Sequence, residues 1–481
     1  MVLFGHVALT SPGFDDEITN IDLIEHLGTW QTVTLMQTED VHPPGGYLVN
    51  GLLWQLTHDW SSVRLVSVLI YGLACASLLR FVQRQMGSLA AWLCLLVVGF
   101  SPTAMMWCTS VRWYAYLTPL LMWALVLPAH RAGWWFRFKP AMAWTLMAYI
   151  SYASLVVAPG LWLWYALHAE DKRWTQRLRE SVLPWGLAAM LFLPQAWVLL
   201  TVHAKNTAGQ TGGLVKSLMG IVVSMASNQG LFPLSLPAAA AAIGWAMVLL
   251  VAFTMARQQR TATSALAATG AGLLGFLASG LAGKFRNLVA MVPFQGLVLA
   301  QTAPWLRQSR ALQLAVALIA VGQLVGSINV MRHQDTTKNS WNLPVNTVLQ
   351  ALDQATAQCQ RPVAIYTFDA VLARAMRQHN PQWQVASYYS RFDKRPLQDT
   401  DCSVVLHTYR GALSTERHAG LLAAEAATTG QRGAMVQIGR DDNSALKRKL
   451  DAAYPEYQVS FQVIHEPATL APLNAWLRSA P

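Results

Sequence analysis

Long apolar runs separated by short basic segments dominate the first two thirds of the chain. They fall at Val63 to Leu79, Leu89 to Met106, Trp113 to Pro128, Pro140 to Leu167 with a break at Pro159-Gly160, Leu183 to Val202, Leu236 to Met255, Ala262 to Ala282, Leu288 to Ala303 and Leu312 to Val330. Most approach the roughly 20 residues that carry an α-helix across a bilayer core, which predicts an α-helical polytopic membrane domain over 1–332. The pattern changes after Arg332. Apolar, β-rich runs at Val363 to Thr367, Ser403 to His407, Ala434 to Ile438 and Val459 to Ile464 alternate with helical periodicity at Val345 to Ala357, Ala370 to His379, Thr415 to Thr428 and Ala445 to Ala453. This predicts a small C-terminal soluble α/β domain over 333–481 with a largely parallel sheet.

Composition supports the membrane class, with 54% hydrophobic and only 12% charged residues, against about one quarter charged in an average globular protein. The net charge of +11 is carried by clusters between the apolar runs, so it orients helices against a membrane and does not point to nucleic acid. Arg80/Arg84, Arg131/Arg137/Lys139, Lys172/Arg173/Arg177/Arg179, Arg257/Arg260 and Arg307/Arg310 all fall on one side, provided that Pro43 to His58 lies along the interface with Trp54 and Trp60 at headgroup depth. By the positive-inside rule that side is cytoplasmic. The expected outer face then carries a loop over 11–62, the Cys108 to Trp113 turn, the Lys205 to Lys216 loop, the Gly283 to Arg286 turn and the C-terminal domain. Pro140 to Ala169 is short for two spans, which predicts a broken or re-entrant hairpin. Met1 to Thr10 is too short to cross and lacks a signal-peptide pattern, so either the natural start lies upstream or this segment only dips into the bilayer.

The outer loop is acidic where the chain is otherwise apolar. Phe14-Asp15-Asp16-Glu17 is followed by Asp40-Val41-His42-Pro43-Pro44, and carboxylates held beside hydrocarbon are costly enough to mark a site. The plainer reading is a solvated loop with helix caps. Cys359 and Cys402 are the only cysteines of the C-terminal domain; an oxidising compartment permits their disulfide, although they precede two separate strands. No Gly-rich phosphate loop lies between a strand and a helix.

Taken in order, the acidic pair, Asp40-x-His42-Pro43-Pro44, Arg64-Leu65-x-Ser67, Ser101-Pro102 and Arg112-x-Tyr114 resemble the GT-C membrane glycosyltransferases. The branch they resemble includes the protein O-mannosyltransferases and the bacterial aminoarabinose transferases, and the resemblance covers Gly13 to Leu127, continuing weakly through Arg286 and Pro293. It implies inverting transfer of a sugar from a polyprenyl-phosphate donor to a lipid, glycan or protein acceptor at the outer face of a bacterial inner membrane. Asp16 matches the family's acidic catalytic position, with Asp15 and Glu17 as competitors. Arg112, Lys284, Arg286 and His42 are the candidates for the donor phosphate, and Asp40, Tyr47 and Tyr114 for acceptor or loop support. No cofactor is certain; a divalent metal is possible, with Asp16, Asp40 and His42 as its candidate ligands.

Each candidate has a plainer reading. Arg64 and Arg112 serve equally as anchors snorkelling to headgroups, Lys284 and Arg286 as helix ends on ordinary lipid phosphate, His42 as a turn support, Asp40 as a cap, and Trp113 with Tyr114 as an aromatic belt. Two departures from the family stand out. Ser110 replaces an acidic residue, and Gly45-Gly46-Tyr47 replaces bulkier apolar residues, which predicts a more flexible segment. A catalytically silent scaffold or lipid-linked glycan binder of the same fold is the alternative, followed by a transporter.

Overall fold

The structure is a computed structural model and describes residues 1–11, 15–39, 42–127, 134–167, 174–203, 218, 221, 235–256, 260–279, 285–332, 345–359, 362–367, 369–388, 396–398, 402–408, 423–424, 427, 436–438, 459–465 and 470–478. The chain divides into two compact units. Met1–Thr10 with Leu27–Thr337 forms the first, and Ser11–His26 with Lys338–Pro481 forms the second.

The first unit is helical. Its elements are α1 (Val2–Thr10), α3 (Thr29–Glu39), α4 (Gly45–Thr57), α5 (Trp60–Met86), α6 (Ser88–Val98), α7 (Pro102–Trp107), α8 (Tyr114–Val126), α9 (Trp134–Ile150), α10 (Ala153–Leu167) and α11 (Trp174–Val198), which ends in a π turn over Leu199–His203. They continue as α12 (Leu236–Ala256), α13 (Arg260–Ala278), a 3-10 segment over Phe285–Met291, α14 (Val292–Gln301), α15 (Ala303–Leu306) and α16 (Arg310–Met331); α2 (Asp15–Leu27) belongs mainly to the other unit. Among the described residues four helices are long and apolar enough to cross a membrane: Trp60–Met86, Arg179–Val202, Leu236–Met255 and Arg310–Met331. This is an integral membrane protein.

Helix α5 shows how sequence spacing sorts the two environments. Leu65, Leu69 and Leu73 recur every fourth residue and are exposed, whereas Val63, Ser67, Tyr71, Ala74, Leu78 and Val82 are fully buried on the opposite side. An exposed leucine stripe suits hydrocarbon, which supplies the apolar surroundings water would not. Between helices, contact depends on small residues instead. A Cβ built at Gly160 of α10 would lie 2.5 Å from the Ala268 carbonyl oxygen of α13, and one at Gly275 of α13 would lie 2.6 Å from Val156 O of α10. The two backbones therefore touch at both points, the close approach that membrane bundles use in place of hydrophobic driving force.

Several apolar runs break differently from their predicted limits. Leu89 to Met106 divides into α6 and α7 because Ser101 accepts the Ala104 amide at 3.1 Å as an N-cap and Pro102 opens a new helix. Pro140 to Leu167 breaks at Ser151-Tyr152, not at Pro159-Gly160: Ser151 Oγ accepts the Ala153 amide at 3.2 Å, and Pro159 lies inside α10. Met1 to Thr10 forms α1, which packs on α5 with Phe4 stacked on Tyr71 at 4.9 Å between ring centroids. Arg64 is buried beneath it and donates to the Ala8 carbonyl at 3.4 Å, so it caps the last turn of α1 and is no lipid-facing anchor.

The second unit is a mixed sheet covered on both faces. Strands β1 (Ala364–Thr367), β2 (Gln384–Ser387), β3 (Cys402–Thr408), β4 (Val436–Ile438) and β5 (Val459–His465) lie in the order β2-β1-β3-β5-β4. The β1 pairings with β2 and β3 are parallel, while β5 runs antiparallel to β3 and β4, so the predicted largely parallel sheet is parallel on one half only. Helices α17 (Val345–Thr356) and α18 (Ala370–His379) bury Leu352, Leu372 and Met376 against Ile365, Val404 and Leu406. Helix α19 (Ala471–Arg478) buries Leu473 and Trp476 against Tyr366 and Val405 on the other face, and the period of two along β1 and β3 produces this division. Cys359 and Cys402 are joined in a disulfide across a sequence separation of 43. The helices expected at Thr415 to Thr428 and Ala445 to Ala453 lie largely or wholly outside the described residues.

Candidate functional site

In the membrane unit, the predicted residues that come together are Tyr47, Arg112 and Tyr114, with His42 at their edge. The segment from Ser101 to Pro119 is buried throughout. Its local hydrogen bonds explain the shape: Thr109 Oγ1 donates to Met105 O at 2.8 Å and Ser110 Oγ to Trp107 O at 2.7 Å, tying off α7. The chain then turns through Val111 and Arg112 into α8, where the Ala115 amide bonds the Arg112 carbonyl at 3.1 Å. Ser110, standing where the family resemblance leads one to expect an acid, is thus a helix-end group.

Arg112 is 5% exposed, and its Nη1 donates to the Tyr47 hydroxyl at 3.5 Å. A guanidinium buried at this depth is enclosed by protein, which removes the reading as a snorkelling anchor. Trp113 and Tyr114 are 4% and 0% exposed, with ring centroids 3.7 Å apart, so they line the interior and form no aromatic belt. His42 is half-buried with its ring 5.7 Å from Trp113.

Helix α4 brings Tyr47 here because it can approach without side chains. A Cβ on Gly45 would lie 2.5 Å from the Tyr149 carbonyl oxygen, and one on Gly46 3.0 Å from Trp113 Cβ. The glycines predicted to loosen this segment instead seat it against two backbones. One turn beyond Tyr47, Asn50 accepts a hydrogen bond from the Tyr116 hydroxyl at 2.5 Å. Asn50 Nδ2 and Trp113 Nε1 are buried donors with no hydrogen-bond partner among the described residues. Buried donors of this kind beside a guanidinium favour an anionic or hydroxyl-rich ligand. Asn50 and Tyr116 carry no motif of their own, although the spacing of Asn50 from Tyr47 places both on one helical face.

The acidic cluster lies in the other unit. Asp15, Asp16 and Glu17 open α2, where the first turn suits negative side chains. Asp16 is half-buried, while Glu17 is 0% exposed; the side chain of Asp15 lies outside the description. The expectation of a loop from 11 to 62 gives way to helices α2, α3 and α4. Asp40 and Lys284 lie outside the described residues, as does the side chain of Arg286, whose backbone belongs to the 3-10 segment. Among the described residues no three His, Cys, Asp or Glu side chains gather as a metal site requires.

No protein-family model matches the sequence, and no curated protein matches it either. The fold does have solved counterparts. ArnT from Cupriavidus metallidurans bound to undecaprenyl phosphate superposes with a TM-score of 0.54 at 12% identity, covering 98% of this chain and 97% of that one. The apo state of the same protein gives 0.52 over the same shares, also at 12% identity. An oligosaccharyltransferase from Archaeoglobus fulgidus overlaps at 0.47 and 12% identity, over 82% of this chain and 64% of that one, too little to carry an argument. With ArnT matched along nearly its whole length, helical bundle and C-terminal α/β unit included, the chain has the fold of that protein.

Proposed function

We propose that the protein transfers a sugar from a polyprenyl-phosphate donor to an envelope acceptor at the outer face of the membrane, with inversion at the anomeric carbon. The observation that carries this reading is Arg112, a guanidinium buried in the membrane unit, hydrogen-bonded to Tyr47 and flanked by the donors of Asn50 and Trp113. Such a group meets an anion in low dielectric, where its charge counts most. The fold shared with an ArnT solved with undecaprenyl phosphate supports a polyprenyl phosphate as that anion.

In this reading the acceptor hydroxyl or amine attacks the anomeric carbon from the face opposite the phosphate. The bond from that carbon to the phosphate oxygen breaks, and its electron pair leaves with polyprenyl phosphate. Asp16 takes the acceptor's proton, the role open to a carboxylate that is not sealed from its surroundings; Glu17, fully buried, supports the turn instead. Arg112 meets the charge growing on the leaving phosphate, with Lys284 and Arg286 as further cations and His42 at the edge. Tyr47 fixes the guanidinium, and Asp40 and Tyr114 support the loop. The basic clusters between apolar runs support a position for these groups outside the cytoplasm, as the family resemblance implies for a bacterial inner membrane.

The test uses purified protein and a panel of polyprenyl-phosphate sugars, with release of polyprenyl phosphate followed by mass spectrometry. Arg112→Met is expected to lower kcat/KM by roughly 100-fold or more, as loss of one preorganised charge-stabilising group does. Full activity in that variant would remove Arg112 from the reaction.

A further inference from the structure

One buried hydroxyl joins three helices of the membrane unit. Tyr116 of α8 donates to Asn50 Oδ1 of α4 at 2.5 Å, and its oxygen is also in hydrogen-bond contact with Ser67 of α5. Asn50 and Ser67 are fully buried and Tyr116 nearly so. At such depth polar side chains are satisfied within the protein, which makes the junction directional where the apolar packing around it is not. Ser67 closes the Arg64-Leu65-x-Ser67 motif, for which the sugar-transfer reading has no use.

The junction is the second of two rungs between α4 and the entry to α8. Arg112 and Tyr116 stand four residues apart, and Tyr47 and Asn50 three apart, so each pair shares a helical face. The rung from Arg112 to Tyr47 is long, at 3.5 Å, and the rung from Tyr116 to Asn50 is short, at 2.5 Å. A long bond from a flexible guanidinium gives way before a short one between a phenol and a stubby amide, so the Tyr116 rung sets the position of the other. Gly46 lets α4 come close to Trp113, but a contact between backbone and methylene surfaces does not resist sliding along the helix. A hydrogen bond of fixed direction does.

We propose that Tyr116 is a positioning residue: its hydroxyl, held between Asn50 and Ser67, sets the register of α4 on α8 and so places Tyr47 against Arg112. Tyr116 acts on the anion through those two residues and does not itself bind it. That the anion is a polyprenyl phosphate rests on the sugar-transfer reading; the register of α4 does not.

The test uses the full-length protein in detergent. It measures affinity for undecaprenyl phosphate and for undecaprenol, which share a chain and differ in the phosphate, together with hydrogen exchange in α4. Tyr116→Phe removes the hydroxyl and keeps the ring. The expected result is a loss of about tenfold in affinity for the phosphate, the worth of a misplaced hydrogen bond to a charged group, with affinity for the alcohol unchanged. Amides of α4 should exchange faster while those of α16 keep their protection. In an Arg112→Met background the same substitution should cost less than about twofold, because a residue acting through Arg112 has nothing left to act on, whereas a general structural effect would add. Unchanged exchange in α4, a preference for the phosphate equal to that of the wild type, or the full loss repeated in the Arg112→Met background overturns the proposal. A wild type that prefers the phosphate but transfers no sugar sinks the sugar-transfer reading and leaves the positioning role standing. If the wild type binds both lipids equally, the polyprenyl-phosphate reading falls, and the exchange in α4 decides the register by itself.

Discussion

A methyl group at Gly45 would press on the Tyr149 carbonyl from 2.5 Å, and a backbone atom cannot move aside as a side chain can. Gly45→Ala is therefore expected to destabilise the membrane unit by about 1–3 kcal/mol through overpacking. Gly186 of α11 has nothing within 4 Å of its would-be Cβ, so Gly186→Ala should be neutral or stabilise by up to about 1 kcal/mol. Thermal unfolding of the two variants in one detergent compares them directly; equal shifts would show that α4 is not seated by its glycines. The same contrast explains what the sequence could not show. Glycine in isolation reads as freedom, because a close approach depends on a backbone more than a hundred residues away. Arg112 and Tyr47 were legible through their motifs and Asp16 through its acidic neighbours, whereas Asn50 and Tyr116 became visible only when α4 met α8. Arg374 had no signal at all: it is one more arginine on an amphipathic helix until it donates to Glu25 and Asp22 of α2.

At the scale of elements, the corner between α4 and α5 is built from side chains that the pattern of apolar runs does not display. Asp59 accepts from the Ser62 hydroxyl at 2.7 Å and from the amides of Ser62 and Ser61 at 2.8 and 3.2 Å, capping α5, while Trp54 stacks on Trp60 at 4.4 Å. The Ser62 hydroxyl bond leads in holding the Asp59 pKa below its usual value of 3.8. A depressed folded pKa means that the cap stabilises fully above the unfolded value and is lost as pH falls through the folded one. Asp59→Ala should cost about 1 kcal/mol near neutral pH, a difference from wild type that fades below about pH 4 in parallel melts. In the C-terminal unit, the disulfide constrains the unfolded chain across a separation of 43 residues, worth about 4 kcal/mol. Cys359→Ser with Cys402→Ser should accordingly lower the melting temperature of that unit while leaving the membrane helices' transition in place. Long helices and the longer strands were legible because their periodicities are strong. β2 was not, since Gln384–Ser387 offers four residues and a single large apolar side chain, and strand direction follows from connections that no periodicity encodes.

At the scale of the whole molecule, the chain folds as two units, and its functional candidates are shared between them: Arg112 and Tyr47 in the helical unit, Asp16 on a helix that groups with the sheet. Sequence order placed the acidic segment with the membrane helices because it precedes them. In three dimensions Ser11–His26 groups with the C-terminal unit, Arg374 of α18 donates to Glu25 and Asp22 of α2, and Ile18, Ile21 and Ile24 are buried, none of which sequence adjacency reports. The decisive measurement is sugar transfer from a panel of polyprenyl-phosphate donors by the purified full-length protein and its Asp16→Asn variant, run side by side. The expected result is stoichiometric release of polyprenyl phosphate and a new glycosidic product with the wild type, and none above background with a variant that retains its fold. A wild type that consumes no donor, or an Asp16→Asn protein as active as the wild type, would contradict it.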